Sequence, residues 1–481
     1  MDILKNIKSQ TVALTPIDTQ GSFANIPFVF FYKNHFSSST FMETNTLREA
    51  FYHTVAQVPT LAGRVKACGR GKVRVVVDSQ NLNLPDYKES KSDIHFDDLE
   101  AEGFCWRSWP DGVNTAGPVT CAGKSGEIKL ANVHIVRLCK NSGVMIYISM
   151  AHYIVDCPGY VTIVQRWCEI YRLLTSGSSE KISDLPPISI NRNEAWCNLP
   201  KERIPVNKET ADIYTRFSLL AEAFAWISPK VRGYIVSKVA ERQNAKTHIF
   251  HVTRADLDSL RNSIDGLVKD PSNVTDTDLI MALSTRAIAR AQETIRQRSK
   301  ESKIIKMFKS RKQTMPLVTV FEVRDRLGLE YVNYAGNMLI PKIATKDASK
   351  LLTPTTTETL AETVVDLSLI TKDISPAYIA SHVDMVLPRP SSFARPIARF
   401  IGHKNALTYI YDRSPYMYGV DFGTGNPEWV SPIEPFRVNL VQLLACKDPA
   451  EGVDVFMSVY PKVMEQVLNN ESWTSVAKLM Y

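Results

Sequence analysis

The sequence predicts a mixed α/β protein built in two comparable halves. Three observations carry this reading. Apolar runs of strand length alternate with segments of helical spacing along the whole chain. A Ser-, Gly- and Pro-rich stretch, TSGSSEKISDLPP (175–187), interrupts that alternation before the middle. The same alternation then resumes. With 481 residues and 44% hydrophobic content, the chain is long enough to bury a large core and to divide into two domains or three. The expected boundaries are an N-terminal domain over 1–180, a crossover linker over 181–212 and a C-terminal domain over 213–481.

The elements follow in order. IPFVFFY (26–32) is an apolar run of strand length. NTLREAFYHTVAQVP (45–59) places Leu47, Phe51, Val55 and Val58 on one helical face, and Pro59 ends it. A basic turn, LAGRV (61–65), leads to a strand, KVRVVV (72–77). VHIVRL (133–138) and VMIYISM (144–150) read as two strands of a hairpin joined by KNSG (140–143). Beyond them Tyr160, Val164, Trp167, Tyr171 and Leu174 form one helical stripe. In the second half FHVTRADLDSLRNSI (250–264) is a strand feeding a helix with Thr253 as its N-cap. VTDTDLIMALSTRAIARA (274–291) is an amphipathic helix opened by Thr and Asp caps.

Composition narrows the function. The formal net charge of +7 is mild for this length; it favours an anionic ligand without singling out nucleic acid. No apolar run reaches the ~20 residues that cross a bilayer. MDILKNIKSQ carries Asp2, Lys5 and Lys8 with no apolar run behind them, so the expected location is the cytoplasm. The eight cysteines form no C-x-x-C and suggest buried thiols, neither a disulfide frame nor a zinc site. His248 and His251 flank a strand in polar positions, and the other histidines outside the motif below have no partner at ligand spacing. No metal is expected.

The segment AHYIVDCPG (151–159) lies at the strand–loop–helix junction. A histidine just past a strand, with an ordinary pKa near 6.5, can take and return a proton near neutral pH. His152 is followed by Asp156, which can orient the ring or lock the loop. The alternative is a histidine satisfied by backbone hydrogen bonds at a core edge. Near the other end, YDRSPYMYGVDFGTGNPEWV (411–430) contains Asp421, Phe422, Gly423, Thr424 and Gly425. Its glycine pair permits a tight turn and a close backbone approach, or marks a simple β-turn after a strand YGVDF.

Taken together and in this order, the H-x-x-x-D and D-F-G-x-G motifs make the chain resemble the BAHD acyl-CoA-dependent acyltransferases. In character it is nearest the fungal trichothecene-acetyltransferase-like members. LREAFYHTVAQVPTLAGRV (47–65), VHIVRLCKNSGVMIYISMAHYIVD (133–156), VTVFEVRDRL (318–327), YAGNM (334–338) and ACKDPAEGVDVFMSVYPKVMEQV (445–467) match further family segments in the expected order. The family commonly has Gly after the Asp, where this chain has Cys157 and a Gly at 159. It has Trp where this chain has Thr424.

The resemblance implies two chloramphenicol-acetyltransferase-like α/β domains with a channel between them, in a monomer. It implies transfer of an acyl group from acyl-CoA, acetyl-CoA among the candidates, to a hydroxyl or amine of a small-molecule acceptor. No cofactor is bound permanently, and neither nucleic acid nor a membrane is a partner. His152 matches the general base, with no covalent acyl-enzyme. Asp156 matches a structural carboxylate whose arginine partner is Arg324, the alternative for Arg324 being a strand-edge surface charge. Asp421, Phe422, Gly423 and Gly425 match a structural motif at the coenzyme end. The basic run RQRSKESKIIKMFKSRK (296–312) suits the CoA phosphates, and Lys309, Ser310 and Arg311 are the residues chosen from it. A solvated surface loop is the other reading of that run. Two competing functions stay open: a non-catalytic acyl-CoA-binding accessory protein on the same scaffold, and a condensation-type domain, which prefers His at the position of Ala151.

Overall fold

A computed structural model describes residues 2–19, 25–68, 72–113, 128–177, 179–192, 194–196, 198–216, 245–298, 314–329, 333–388, 406–412, 415–433 and 439–481. The first half contains β1 (Gln10–Leu14), β2 (Asn25–Lys33), β3 (Arg64–Cys68), β4 (Lys72–Val77), β5 (Asp86–Lys91), β6 (Ala131–Arg137) and β7 (Gly143–Ala151). The second half contains β8 (Lys246–Thr253), β9 (Thr314–Glu322), β10 (Leu339–Asp347), β11 (Leu407–Asp412), β12 (Trp429–Pro432), β13 (Leu440–Ala445), β14 (Gly452–Val459) and β15 (Ala477–Leu479). Four helices matter below: α1 (Thr44–Gln57), α2 (Cys157–Ser176), α3 (Asp276–Arg298) and α4 (Thr357–Lys372).

Among the described residues two large sheets form, ordered β12-β2-β7-β6-β5 and β10-β9-β11-β13-β14-β8-β15. The apolar runs of β2 and β7 do not alternate because both faces of their sheet are covered. Every residue of β7 is buried. On one face Phe28, Phe30, Ile146 and Ile148 pack with Phe51 of α1 and Trp167 of α2. On the other, Val29, Phe31, Met145 and Tyr147 pack with Phe96, Leu99 and Phe104. In the second sheet Phe250, Leu317, Leu407, Val441 and Val455 share a core with α3 and α4. No helix among the described residues is long and apolar enough to cross a membrane.

Local chemistry sets the helix ends. The expected helix over 45–59 stops at Gln57 because Val58 precedes a proline and leaves the helical region (φ −123°). The basic turn is a short 3₁₀ turn, Pro59–Ala62, and Arg64 already belongs to β3. Helix α2 begins earlier than its apolar stripe because Asp156 caps it and Pro158 sits in the first turn, where its missing N–H costs nothing. Gly177 closes it with φ +63°. Thr253 caps the next helix by accepting from the Asp256 amide, as expected.

The two halves exchange segments. After β11 the chain returns to the first sheet, where β12 pairs with β2 in the register Val430 to Phe30. YGVDF is not a strand there. Pro415–Gly419 is a 3₁₀ turn, and the Val420 carbonyl accepts from the Tyr32 hydroxyl (2.7 Å) instead of joining a ladder. Phe422 inserts edge-on among Tyr32, Trp167 and Tyr171, with ring centroids 5.7, 5.1 and 5.6 Å apart. In the reverse direction Trp106 packs on Phe456 and Tyr481 of the second half. Phe422→Ala would empty a buried aromatic site and should cost about 3–5 kcal/mol, read as a lowered urea midpoint with an unchanged m-value.

Candidate active site

The site is built on the end of β7. The chain leaves the sheet at Ala151, turns through His152, and enters α2 at Asp156. Asp156 has no exposed surface. Its Oδ1 accepts from the Gly159 amide (3.0 Å) and Arg324 Nη2 (3.0 Å); its Oδ2 accepts from Arg324 Nη1 (2.8 Å) and the Met338 amide (2.7 Å). Arg324 follows β9 and is equally enclosed. It also donates to the Gly336 carbonyl (2.6 Å) and Glu322 Oε1 (2.7 Å). A buried carboxylate is costly unless its lone pairs are used, and here four donors use them. The side chain points into protein, so it shapes the loop and is not placed to move protons.

Burial works against the Arg324 charge, but Asp156 and Glu322 outweigh it and hold the guanidinium protonated. Glu322 is the weaker partner. Burial, reinforced by the nearby Asp156 charge and opposed by Arg324, pushes its carboxyl up to about 7, although a quarter of the side chain stays exposed.

The segment 333–338 crosses the start of α2. A Cβ on Gly159 would lie 2.2 Å from the Ala335 carbonyl oxygen, so only glycine permits the approach. The helix therefore has its glycine where the crossing chain touches it. Cys157 takes the first helical position. The linker stitches the same segment in place: Ser189 N donates to the Asn333 carbonyl (2.7 Å) and Ala335 N to the Ser189 carbonyl (3.0 Å).

Asn337 sits at the end of this segment, buried, with its Oδ1 3.0 Å from His152 Nδ1 and its Nδ2 donating to the His152 carbonyl (3.0 Å). An amide oxygen only accepts, so with the amide turned this way the neutral ring carries its hydrogen on Nδ1 and Nε2 is the basic nitrogen. His152 itself is half-buried.

The Asp421 loop is closed by its own carboxylate. Asp421 Oδ1 accepts from the amides of Gly423 (2.7 Å), Thr424 (3.1 Å) and Gly425 (3.0 Å). Gly423 and Gly425 have φ of +86° and +99°, which glycine adopts without strain. Thr424 contributes its backbone, so the side chain at that position is not what closes the loop. Arg172 of α2 donates to the Asp421 carbonyl, anchoring the loop to the helix that Asp156 caps.

The structure thus brings His152, Asp156 and Arg324 into one cluster and sets Asp421, Phe422, Gly423 and Gly425 against α2. Lys309, Ser310 and Arg311 lie outside the described residues. Sequence reasoning missed Asn337, although it quoted the segment that contains it, and missed Glu322, two residues before Arg324. It also missed a partner for His251, whose Nδ1 lies 2.7 Å from Asp454 Oδ1 and 4.0 Å from the Cys446 sulfur. The hydrogen bond with Asp454 raises the His251 pKa, and burial raises that of the Cys446 thiol.

The sequence profile of the Transferase family matches residues 4–473, and the chain belongs to that family, the BAHD-type acyl-CoA-dependent acyltransferases. Solved structures share the fold, with two chloramphenicol-acetyltransferase-like domains. TRI101 of F. graminearum, complexed with ethyl coenzyme A, matches with TM-score 0.69 at 13% identity, over 98% of this chain and 100% of that one. TRI101 of F. sporotrichioides, complexed with coenzyme A and T-2, gives 0.68 at 16% identity over the same shares. Vinorine synthase gives 0.60 at 14%, over 97% of this chain and 94% of that one. No curated protein matches in sequence.

Three outcomes follow from the cluster. Asp156→Ala leaves Arg324 buried without its main partner and should cost about 3–5 kcal/mol in denaturant unfolding. Gly159→Ala should displace segment 333–338 and lower both thermal stability and acceptor-dependent turnover. Glu322 binds its proton more tightly folded than unfolded, so its contribution is full below the ordinary 4.5 and is lost as pH rises through about 7. Thermal melts between pH 5 and 8 should decline less steeply for Glu322→Gln than for wild type.

Proposed function

We propose that this protein transfers an acyl group from acyl-CoA to a hydroxyl or amine of a small-molecule acceptor, with His152 as general base. The observation that carries this is the contact of Asn337 Oδ1 with His152 Nδ1 (3.0 Å): with the hydrogen on Nδ1, Nε2 is a proton acceptor on a half-buried ring at the junction of the two halves. The acceptor O–H or N–H hydrogen-bonds to Nε2 and attacks the thioester carbon as the proton moves to the ring. A tetrahedral oxyanion forms. Its collapse breaks the carbon–sulfur bond, and Nε2 returns the proton to the departing thiolate. Neither Ser nor Cys forms a covalent intermediate. Asp156 and Arg324 hold the loop, and the Asp421–Gly425 motif braces α2.

Several further points support the reading. The TRI101 structures contain coenzyme A together with T-2 or deoxynivalenol, which agrees with an acyl-CoA and a small-molecule acceptor as the two substrates. The basic run over 296–312 supplies charge for CoA phosphates, with Lys309, Ser310 and Arg311 the assigned residues. Free thiols at Cys105, Cys139, Cys157, Cys168 and Cys446 suit the cytoplasm. With Cys157 and Thr424 in place of the family's usual Gly and Trp, Asp156 and Asp421 still accept from four and three donors respectively.

Purified protein incubated with acetyl-CoA and longer acyl-CoAs against a panel of alcohols and amines should release thiol in an acceptor-dependent way. His152→Ala should lower that release by roughly 10²–10⁴-fold while its thermal midpoint stays near wild type. Wild-type turnover in the folded variant would overturn the assignment. CoA binding by calorimetry with no product from any acceptor would favour the accessory protein.

A further inference from the structure

Asn337 holds the productive tautomer of His152 only while its amide is turned one way. Rotated by half a turn, it would present Nδ2 to the ring, Nδ1 would have to accept, and the hydrogen would move to Nε2. Nε2 would then be a donor and could not take the acceptor proton. Something must therefore hold the amide.

That holder is buried at the N-terminus. Asn337 Nδ2 donates not only to the His152 carbonyl but also to Asp18 Oδ1 (3.2 Å). An amide oxygen in that place would face a carboxylate and a carbonyl, with no hydrogen between them. Asp18 is 1% exposed and is held on every side. Its Oδ2 accepts from the Thr15 amide (2.8 Å) and hydroxyl (2.7 Å). Its Oδ1 lies 3.1 Å from Arg192 Nε in an ion pair. Arg192 is 5% exposed and donates through Nη2 to the Ile154 carbonyl (2.7 Å), two residues beyond the histidine. A Cβ on Gly336 would lie 2.3 Å from Arg192 Nη1, so the glycine before Asn337 makes room for the guanidinium.

We propose that Asp18 and Arg192 are positioning residues for acyl transfer: their buried pair fixes the amide of Asn337 and, through it, the tautomer of His152. The pair is neutral overall, so it acts on ring orientation and hydrogen placement more than on ring charge. The inference rests on His152 as the base for its kinetic arm only; the tautomer is measurable without activity.

The test replaces the pair by apolar residues of similar volume, Asp18→Leu/Arg192→Met, a change that buried ion pairs often tolerate without loss of stability. Histidine ¹⁵N spectra of the full chain are compared, with His152 assigned by its loss in His152→Ala. Wild type should show neutral His152 protonated at Nδ1. The double variant should stay folded, show both tautomers, and lose roughly 10–100-fold in kcat with KM little changed, as misorientation of a catalytic group does. If the double variant fails to fold, Asp18→Asn is read in the same way, since it keeps the volume and a hydrogen bond to Thr15. Wild-type His152 protonated at Nε2, or a folded variant with unchanged tautomer and kcat, would overturn the proposal. Absence of acceptor-dependent thiol release from wild type would instead count against the acyltransfer reading and leave the tautomer result to decide this one.

Discussion

Everything at the centre of the molecule depends on one buried ion pair, Asp156 with Arg324. Its two members come from different halves: the cap of α2 in the first, the end of β9 in the second. Burying both charges is expensive, and the cost is offset only because the carboxylate has four donors and the guanidinium is surrounded by acceptors. That saturation leaves few alternative geometries. Gly159, Met338 and Gly336 are held by the same pair, so the start of α2 and segment 333–338 form one rigid block. His152, four residues earlier in a short turn, takes its position from that block.

The two halves are not independent bodies joined at a seam. Strand β12 from the second half completes the first sheet, and Phe422 beside it fills a pocket among Tyr32, Trp167 and Tyr171. Trp106 from the first half covers Phe456 of the second sheet and donates to the Pro432 carbonyl (3.0 Å). This exchange fixes the distance between the sheets through large buried aromatics, whose packing is intolerant of small shifts. The fold survives at 13–16% identity to the TRI101 proteins, which is reasonable if that packing depends on the sites of burial more than on particular apolar residues.

Support around the histidine is layered by charge. Nearest the ring is a neutral amide, Asn337. Behind it are two buried ion pairs, Asp18–Arg192 and Asp156–Arg324, both close to the ring of Tyr334. Keeping the charges one residue away lets the ring be held by a neutral amide instead of a carboxylate. Burial, with the neighbouring Asp156 charge added, pushes the Glu322 carboxyl up to about 7 against the pull of Arg324.

By itself the sequence determined the elements and the chemical class of the site. Apolar runs, the Asp156 and Thr253 caps, Pro59 and the glycines act within a few residues, so β2, β7, α1, α2 and α3 were legible from spacing alone. His152 with Asp156 could be named as a pair, and Arg324 and the Asp421 loop with them through the family likeness. Tertiary structure alone decided what these residues touch. Asn337 reaches His152 across 185 positions and Asp18 across 319, and no local pattern encodes contacts so distant. The same holds for YGVDF, which reads as a strand locally but becomes a turn because Tyr32, far back in the chain, takes the Val420 carbonyl. Local propensity chooses how a segment bends; the burial of charges and aromatics between segments chooses which of them meet, and the histidine's basic nitrogen is set by that second choice.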